Sequence, residues 1–300
     1  MTTILKRTIL SIALTVACAA ASAGPVILGG DDLTDHGSRS ASGANLNGWL
    51  YIEKAVGSIL SGVTRAGTLT TDIVALGSAA AGFSSNNAGG AIGSAANVLG
   101  RTVTYIDGAD AINAFFVSLA AGIINPGMLW MAGQGAANDL DFDEGQALTA
   151  NAAAINLFGA SGGGIMAHGS GTVAYGWLSA LLPGITEVDA CNENGATLTA
   201  AGIAAFPGLG NSNINASAGP CHSTFTGNLG GLQTLALDGN GRNYIIGGGG
   251  GTIIQCGQLG QPPCPPTGVP EPGSLPLVLL AAMGLALPQF RRLRGRKASA

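Results

Sequence analysis

The chain has 300 residues, 47% of them hydrophobic, only 9% charged, and 50 of them glycine. Aliphatic content this high excludes a disordered chain, which needs low hydrophobicity. Residues 24–268 carry 5 basic against 15 acidic side chains, a net charge of −10, which excludes nucleic acid or anionic lipid as a partner held by charge.

Taken in chain order, the first element is a secretion signal. Lys6 and Arg7 form a positive n-region, Thr8 to Ala20 an apolar run, and Ala21-Ser22-Ala23 an A-x-A cleavage site. Residues 1–23 are therefore expected to be removed by signal peptidase, leaving Gly24 as the first residue.

Residues 24–246 read as one globular α/β domain, large enough for a real core. Apolar runs alternate with helical patterns. Pro25–Leu28 reads as a strand, Asn47–Ser61 as a helix, Asp72–Leu76 as a strand, and 77–90 as a loop. Ala91–Leu99 follows as a helix, Thr102–Ile106 as a strand, and a helix capped by Asp110 runs to Ala120. Met128–Met131 is a fourth strand, Asp143–Phe158 a helix, Gly164–Ala167 a fifth strand, and Thr172–Leu182 a helix. Near-continuous apolar strands between helices predict a doubly wound, mainly parallel sheet of flavodoxin-like order. Beyond Pro183 the pattern loosens. Thr199–Phe206 reads as a helix, and Gln233–Leu237 with Asn243–Ile246 as a hairpin turning at Asp238-Gly239-Asn240-Gly241. Residues 247–268 read as a Gly/Pro-rich linker.

In an open α/β sheet, ligands bind beyond the carboxyl ends of the strands. Asp31, Asp32, Asp35 and His36 follow strand one, and His168 and Ser170 follow strand five. Three carboxylates and an imidazole within six residues suit a divalent cation, oxygen ligands favouring Ca²⁺ or Mg²⁺ and the histidine admitting Zn²⁺ or Mn²⁺. The competing reading is a solvated loop whose acids cap turns. Asp139, Asp141 and Asp143 have the spacing that opens a calcium loop, but the sixth position is Glu144 rather than Gly and the twelfth is Ala150 rather than Glu. No organic cofactor is implied.

After the signal peptide is removed, Cys191, Cys221, Cys256 and Cys264 remain. An even count in an exported chain predicts two disulfides, Cys191–Cys221 and Cys256–Cys264, among three connectivities.

The segment Gly162-Gly163-Gly164-Ile165-Met166-Ala167-His168-Gly169-Ser170 resembles the region around the nucleophile elbow in class I glutamine amidotransferase-like domains, closest to their trehalose-utilisation branch. No cysteine lies between residues 24 and 190, so the glutaminase activity is not carried over. Ser170 is a candidate nucleophile with His36 as base, but His168 and Thr172 stand where a Gly-x-Ser-x-Gly elbow needs glycines. The other reading is a tight turn with Ser170 near a helix N-cap.

The end of the chain has three parts: Val269-Pro270-Glu271-Pro272, an apolar segment from Leu275 to Phe290, and a basic end with Arg291, Arg292, Arg294, Arg296 and Lys297. A cationic end stays on the cytoplasmic side while the apolar segment lodges in the bilayer as a transmembrane helix. Residues 269–300 resemble the PEP-CTERM sorting signal of Gram-negative bacteria. That resemblance implies processing by an exosortase-type membrane protease. It also implies transient anchoring in the inner membrane, then release to the cell surface or an exopolysaccharide matrix. The expectation is a non-catalytic ligand-binding or structural domain, with extracellular polysaccharide as a candidate partner. The alternative is an envelope hydrolase or metal-dependent enzyme using Asp31, Asp32, Asp35, His36 and His168.

Overall fold

The computed structural model describes residues 23–137, 139–215 and 219–248. Residues 1–22 of the signal peptide, almost all of the linker, Cys256, Cys264 and the whole sorting tail lie outside the described residues.

The described chain is a mixed α/β domain built on a ten-stranded sheet. Five strands form its parallel part: β1 (Val26–Gly29), β4 (Leu69–Leu76), β5 (Thr102–Ile106), β6 (Pro126–Met131) and β7 (Gly164–His168). Every residue of β1, β6 and β7 is buried, as strands covered on both faces must be. An antiparallel flank follows, made of β8 (Ile185–Val188), β9 (Thr197–Leu198), β10 (Thr224–Gly227), β11 (Gln233–Leu237) and β12 (Asn243–Gly248). A separate small hairpin pairs β2 (Gly37–Arg39) with β3 (Asn45–Asn47).

The strand order is β5-β4-β6-β7-β1-β12-β10-β8. Counting only the parallel strands in chain order, they lie 3-2-4-5-1, which corrects the expected flavodoxin-like order of 2-1-3-4-5. The first strand sits beside the fifth, and β12 pairs antiparallel along its other edge, so β1 lies inside the sheet. Apolar runs show that strands are buried, not which neighbour each one takes.

Eight helices occur among the described residues: α1 (Gly48–Gly62), α2 (Ala88–Val98), α3 (Ala109–Ala120), α4 (Phe142–Ala150), α5 (Ala152–Ala160), α6 (Leu178–Leu181), α7 (Ala200–Ala205) and α8 (Asn211–Ile214). The β1–β4 and β4–β5 crossovers run one way across the sheet, and β5–β6 and β6–β7 run back. Right-handed crossovers then place α1 and α2 on one face and α3 to α5 on the other. The packing agrees, with α1 against α2 and α3 against α4. In α1, Trp49, Ile52, Val56, Ile59 and Leu60 recur at helical spacing and are buried. No described helix is long and apolar enough to cross a membrane.

Three helix expectations are corrected. The segment 143–158 is two helices, because the Asn151 side chain donates to the Ala147 carbonyl and closes the first. The helix of 172–182 shrinks to Leu178–Leu181. Gly171 takes a left-handed φ of 74°, and the Tyr175 hydroxyl is drawn into bonds with the Gly29 and Ala167 carbonyls. Asp110 lies in the first turn of α3, with Gly108 at the cap position.

Candidate functional site

The carboxyl ends of the neighbouring strands β1 and β7 carry the candidate residues. Gly29 pairs with His168, and the chain then runs through Gly30 into Asp31 and Asp32. This turn is tied down on all sides. The Gly169 amide donates to the Asp31 carbonyl, and the Asp32 amide to the Pro220 carbonyl. The amides of His222 and Ser223 both donate to the Gly30 carbonyl. Trp49 of α1 donates its indole N–H to the Thr34 carbonyl at 2.7 Å, and the Gly48 amide reaches the His36 carbonyl.

Two groups result, an inner and an outer one. In the inner group, His168 Nδ1 lies 2.8 Å from Asp31 Oδ1, and both side chains are wholly buried. The Leu33 amide donates to the same oxygen at 3.1 Å. Nδ1 is the ring nitrogen that faces the carboxylate, and the buried Nε2 on the other side of the ring has no hydrogen-bond partner. Tyr51 packs edge-on to this ring and Trp130 lies tilted against it.

In the outer group, His36 Nε2 stands 3.4 Å from both Asp32 Oδ1 and Asp35 Oδ1. One ligand atom from each of Asp32, Asp35 and His36 falls within 4.8 Å of the other two, close enough for the three to share one cation. His222 Nε2 reaches Asp32 Oδ2 at 2.6 Å, so the Asp32 carboxylate has an imidazole on each oxygen. Burial, then repulsion from Asp32, raises the Asp35 pKa above the usual carboxylate value, against the pull of His36. The Asp32 hydrogen bond, ahead of opposing burial, raises the His222 pKa above 6.5.

Sequence reasoning missed His222, which lies 190 residues from Asp32. The one available signal was its neighbour Cys221. The predicted Cys191–Cys221 bond is present, and Cys221 itself bridges to Asp31 in the backbone.

The other candidates do not join this site. The Asp139 carboxylate accepts from the Ser78 hydroxyl and the Gly89 amide. Asp141 caps α4 in a reciprocal box with Glu144, and Asp143 is exposed in the first turn. Among the described residues, no metal-ligating group contains any of these three. Ser170 is buried in the turn after β7, where its carbonyl accepts from the Gln134 amide and no hydrogen bond joins its hydroxyl to a histidine. It caps no helix, since α6 begins at Leu178. A groove of about 640 Å³ lies between α3 and strands β4 and β5, reaches Pro126 at the amino end of β6, and shares no residue with the site.

No family model, no curated protein and no solved structure matches this chain.

Proposed function

We propose that this chain is an exported cell-envelope or exopolysaccharide-associated protein, and that its α/β body binds a divalent cation through Asp32, Asp35 and His36. One observation carries the cation reading: these three side chains offer ligand atoms within 4.8 Å of one another at the carboxyl end of β1. Mutual repulsion of the two carboxylates and the raised Asp35 pKa are what a bound cation would relieve. The export reading rests on the signal peptide and on the three-part tail resembling PEP-CTERM, with signal peptidase and an exosortase-type protease as processing partners.

Calorimetric titration of the purified protein with Zn²⁺, Mn²⁺ and Ca²⁺ tests the first part. Binding of one ion, weakened by more than about tenfold in both Asp32→Asn and His36→Ala, is the expected result. No binding by the wild type rejects the site. For the second part, intact mass of the protein from its native host should show both termini processed. An uncut chain in the cytosol would reject export.

An envelope hydrolase is the second reading. It is favoured by the Asp31–His168 pair, which orients an imidazole as a base is oriented in acid–base catalysis. Burial of His168 weighs against it, because a catalytic base must reach its substrate.

A further inference from the structure

Strand β5 ends one side of the ten-stranded sheet and pairs with β4 alone. None of its residues is buried, whereas β1, β6 and β7 are buried throughout. The Ile106 carbonyl accepts from the Gly77 amide, so Ile106 turns its backbone groups toward β4. In a strand, the amide and carbonyl of one residue point to the same side, and that side alternates along the chain. Thr104 therefore also faces β4, while Val103 and Tyr105 present their amides and carbonyls to the open edge.

An open edge is a template for another strand unless something blocks it. The sequence of β5, Thr-Val-Thr-Tyr-Ile, has high strand propensity and contains no proline, glycine or charge. The charges stand just outside it, Arg101 before the strand and Asp107 after. Among the basic side chains of residues 24–268, Arg39, Lys54, Arg65 and Arg242 each hold a hydrogen bond or ion pair. Among the described residues Arg101 has no such partner, and Asp107 has no basic one.

We propose that the β5 edge is the contact between two copies of this chain, joined antiparallel about a two-fold axis at Thr104. In this register Val103 lies opposite the partner's Tyr105, and symmetry repeats the pair. These are the residues whose amides and carbonyls face outward, so each pair exchanges both N–H···O bonds. Thr104 and the partner's Thr104 form the closer, non-hydrogen-bonded pair between them. At each end Arg101 stands opposite the partner's Asp107, so unlike charges meet twice. Strands β4, β6 and β7 separate this edge from β1, and the contact is independent of the cation cluster.

The test is the molar mass of the purified protein by light scattering across a concentration series, with Arg101→Glu and Asp107→Lys. The proposal expects a wild-type dimer. Each single variant, which sets like charges opposite each other, should weaken it by about tenfold or more. Mixing the two variants should restore the dimer as a heterodimer, because Glu then meets Lys and Asp meets Arg. Pairing within one chain cannot mimic this, since positions 101 and 107 lie at opposite ends of one strand, about 20 Å apart. A wild type that stays monomeric up to about 1 mM would overturn the proposal. So would a dimer that both single variants leave unchanged, or one that mixing fails to restore.

Discussion

Asp31 occupies the space that a side chain on Gly29 would need, its Oδ2 lying 1.6 Å from where the Cβ would stand. That carboxylate also holds His168, so the absence of one methyl group makes room for the buried pair. Gly29 is not left-handed, and Gly29→Ala therefore acts through space alone. The substitution should cost about 3 kcal/mol, read from the urea midpoint, by displacing Asp31 from His168. A cost below about 0.5 kcal/mol would show that the carboxylate can move freely.

The Cys191–Cys221 bond closes a loop with a sequence separation of 30 and fixes the segment that delivers His222. The chain-entropy estimate for a loop of this size is about 3–4 kcal/mol. Reduction, or Cys191→Ser with Cys221→Ser, should lower stability by that order. Intact mass after alkylation without reductant should show both cysteines unlabelled; labelling of either one contradicts the bond.

The His222–Asp32 pair gives stability a pH dependence with a definite sign. In the unfolded chain His222 titrates near about 6.5, and in the folded protein the Asp32 hydrogen bond holds its pKa above that. The pair's contribution is then fully present below the unfolded value and is lost as pH rises through the folded value. Between about pH 6 and about pH 9 the wild type should lose more stability than His222→Asn. The effect is small, because the His222 side chain is 39% exposed. Urea midpoints that track each other across this range would rule the pair out.

Asp141 caps α4 by accepting from the Glu144 amide at 2.8 Å, while Glu144 accepts from the amides of Asp141 and Gly108. Asp141→Ala should cost about 1 kcal/mol, the worth of a lost cap. Cation affinity should be unchanged, because Asp141 lies outside the Asp32 cluster. Weaker Ca²⁺ binding in this variant would restore the calcium-loop reading.

Much of the domain was legible in one dimension. The five apolar runs beginning at Pro25, Asp72, Thr102, Met128 and Gly164 are the five parallel strands, within a few residues. The Asp238-Gly239-Asn240-Gly241 turn joins β11 to β12 as expected, with Asp238 accepting from the amides of Asn240 and Arg242. Strands β8 and β10 were not legible. Their residues, ITEV and TFTG, are short, partly exposed and polar, and they become strands by pairing with each other and with β12. The hairpin Gly37–Asn47 shows the same limit, since its strands have three residues each.

The candidate site divides in the same way. Asp31, Asp32, Asp35 and His36 were visible as a local cluster because six consecutive residues hold them, and His168 because a strand ends there. Their separation into a buried pair and an outer cluster was decided by the fold. It depends on β1 lying beside β7, on the missing Cβ of Gly29, and on a disulfide that carries His222 to Asp32. The sequence by itself determined composition, burial periodicity and turn chemistry, because those are properties of neighbouring residues. Only the tertiary structure decided strand order and which titratable groups meet, because those depend on contacts between residues as far apart as Asp32 and His222.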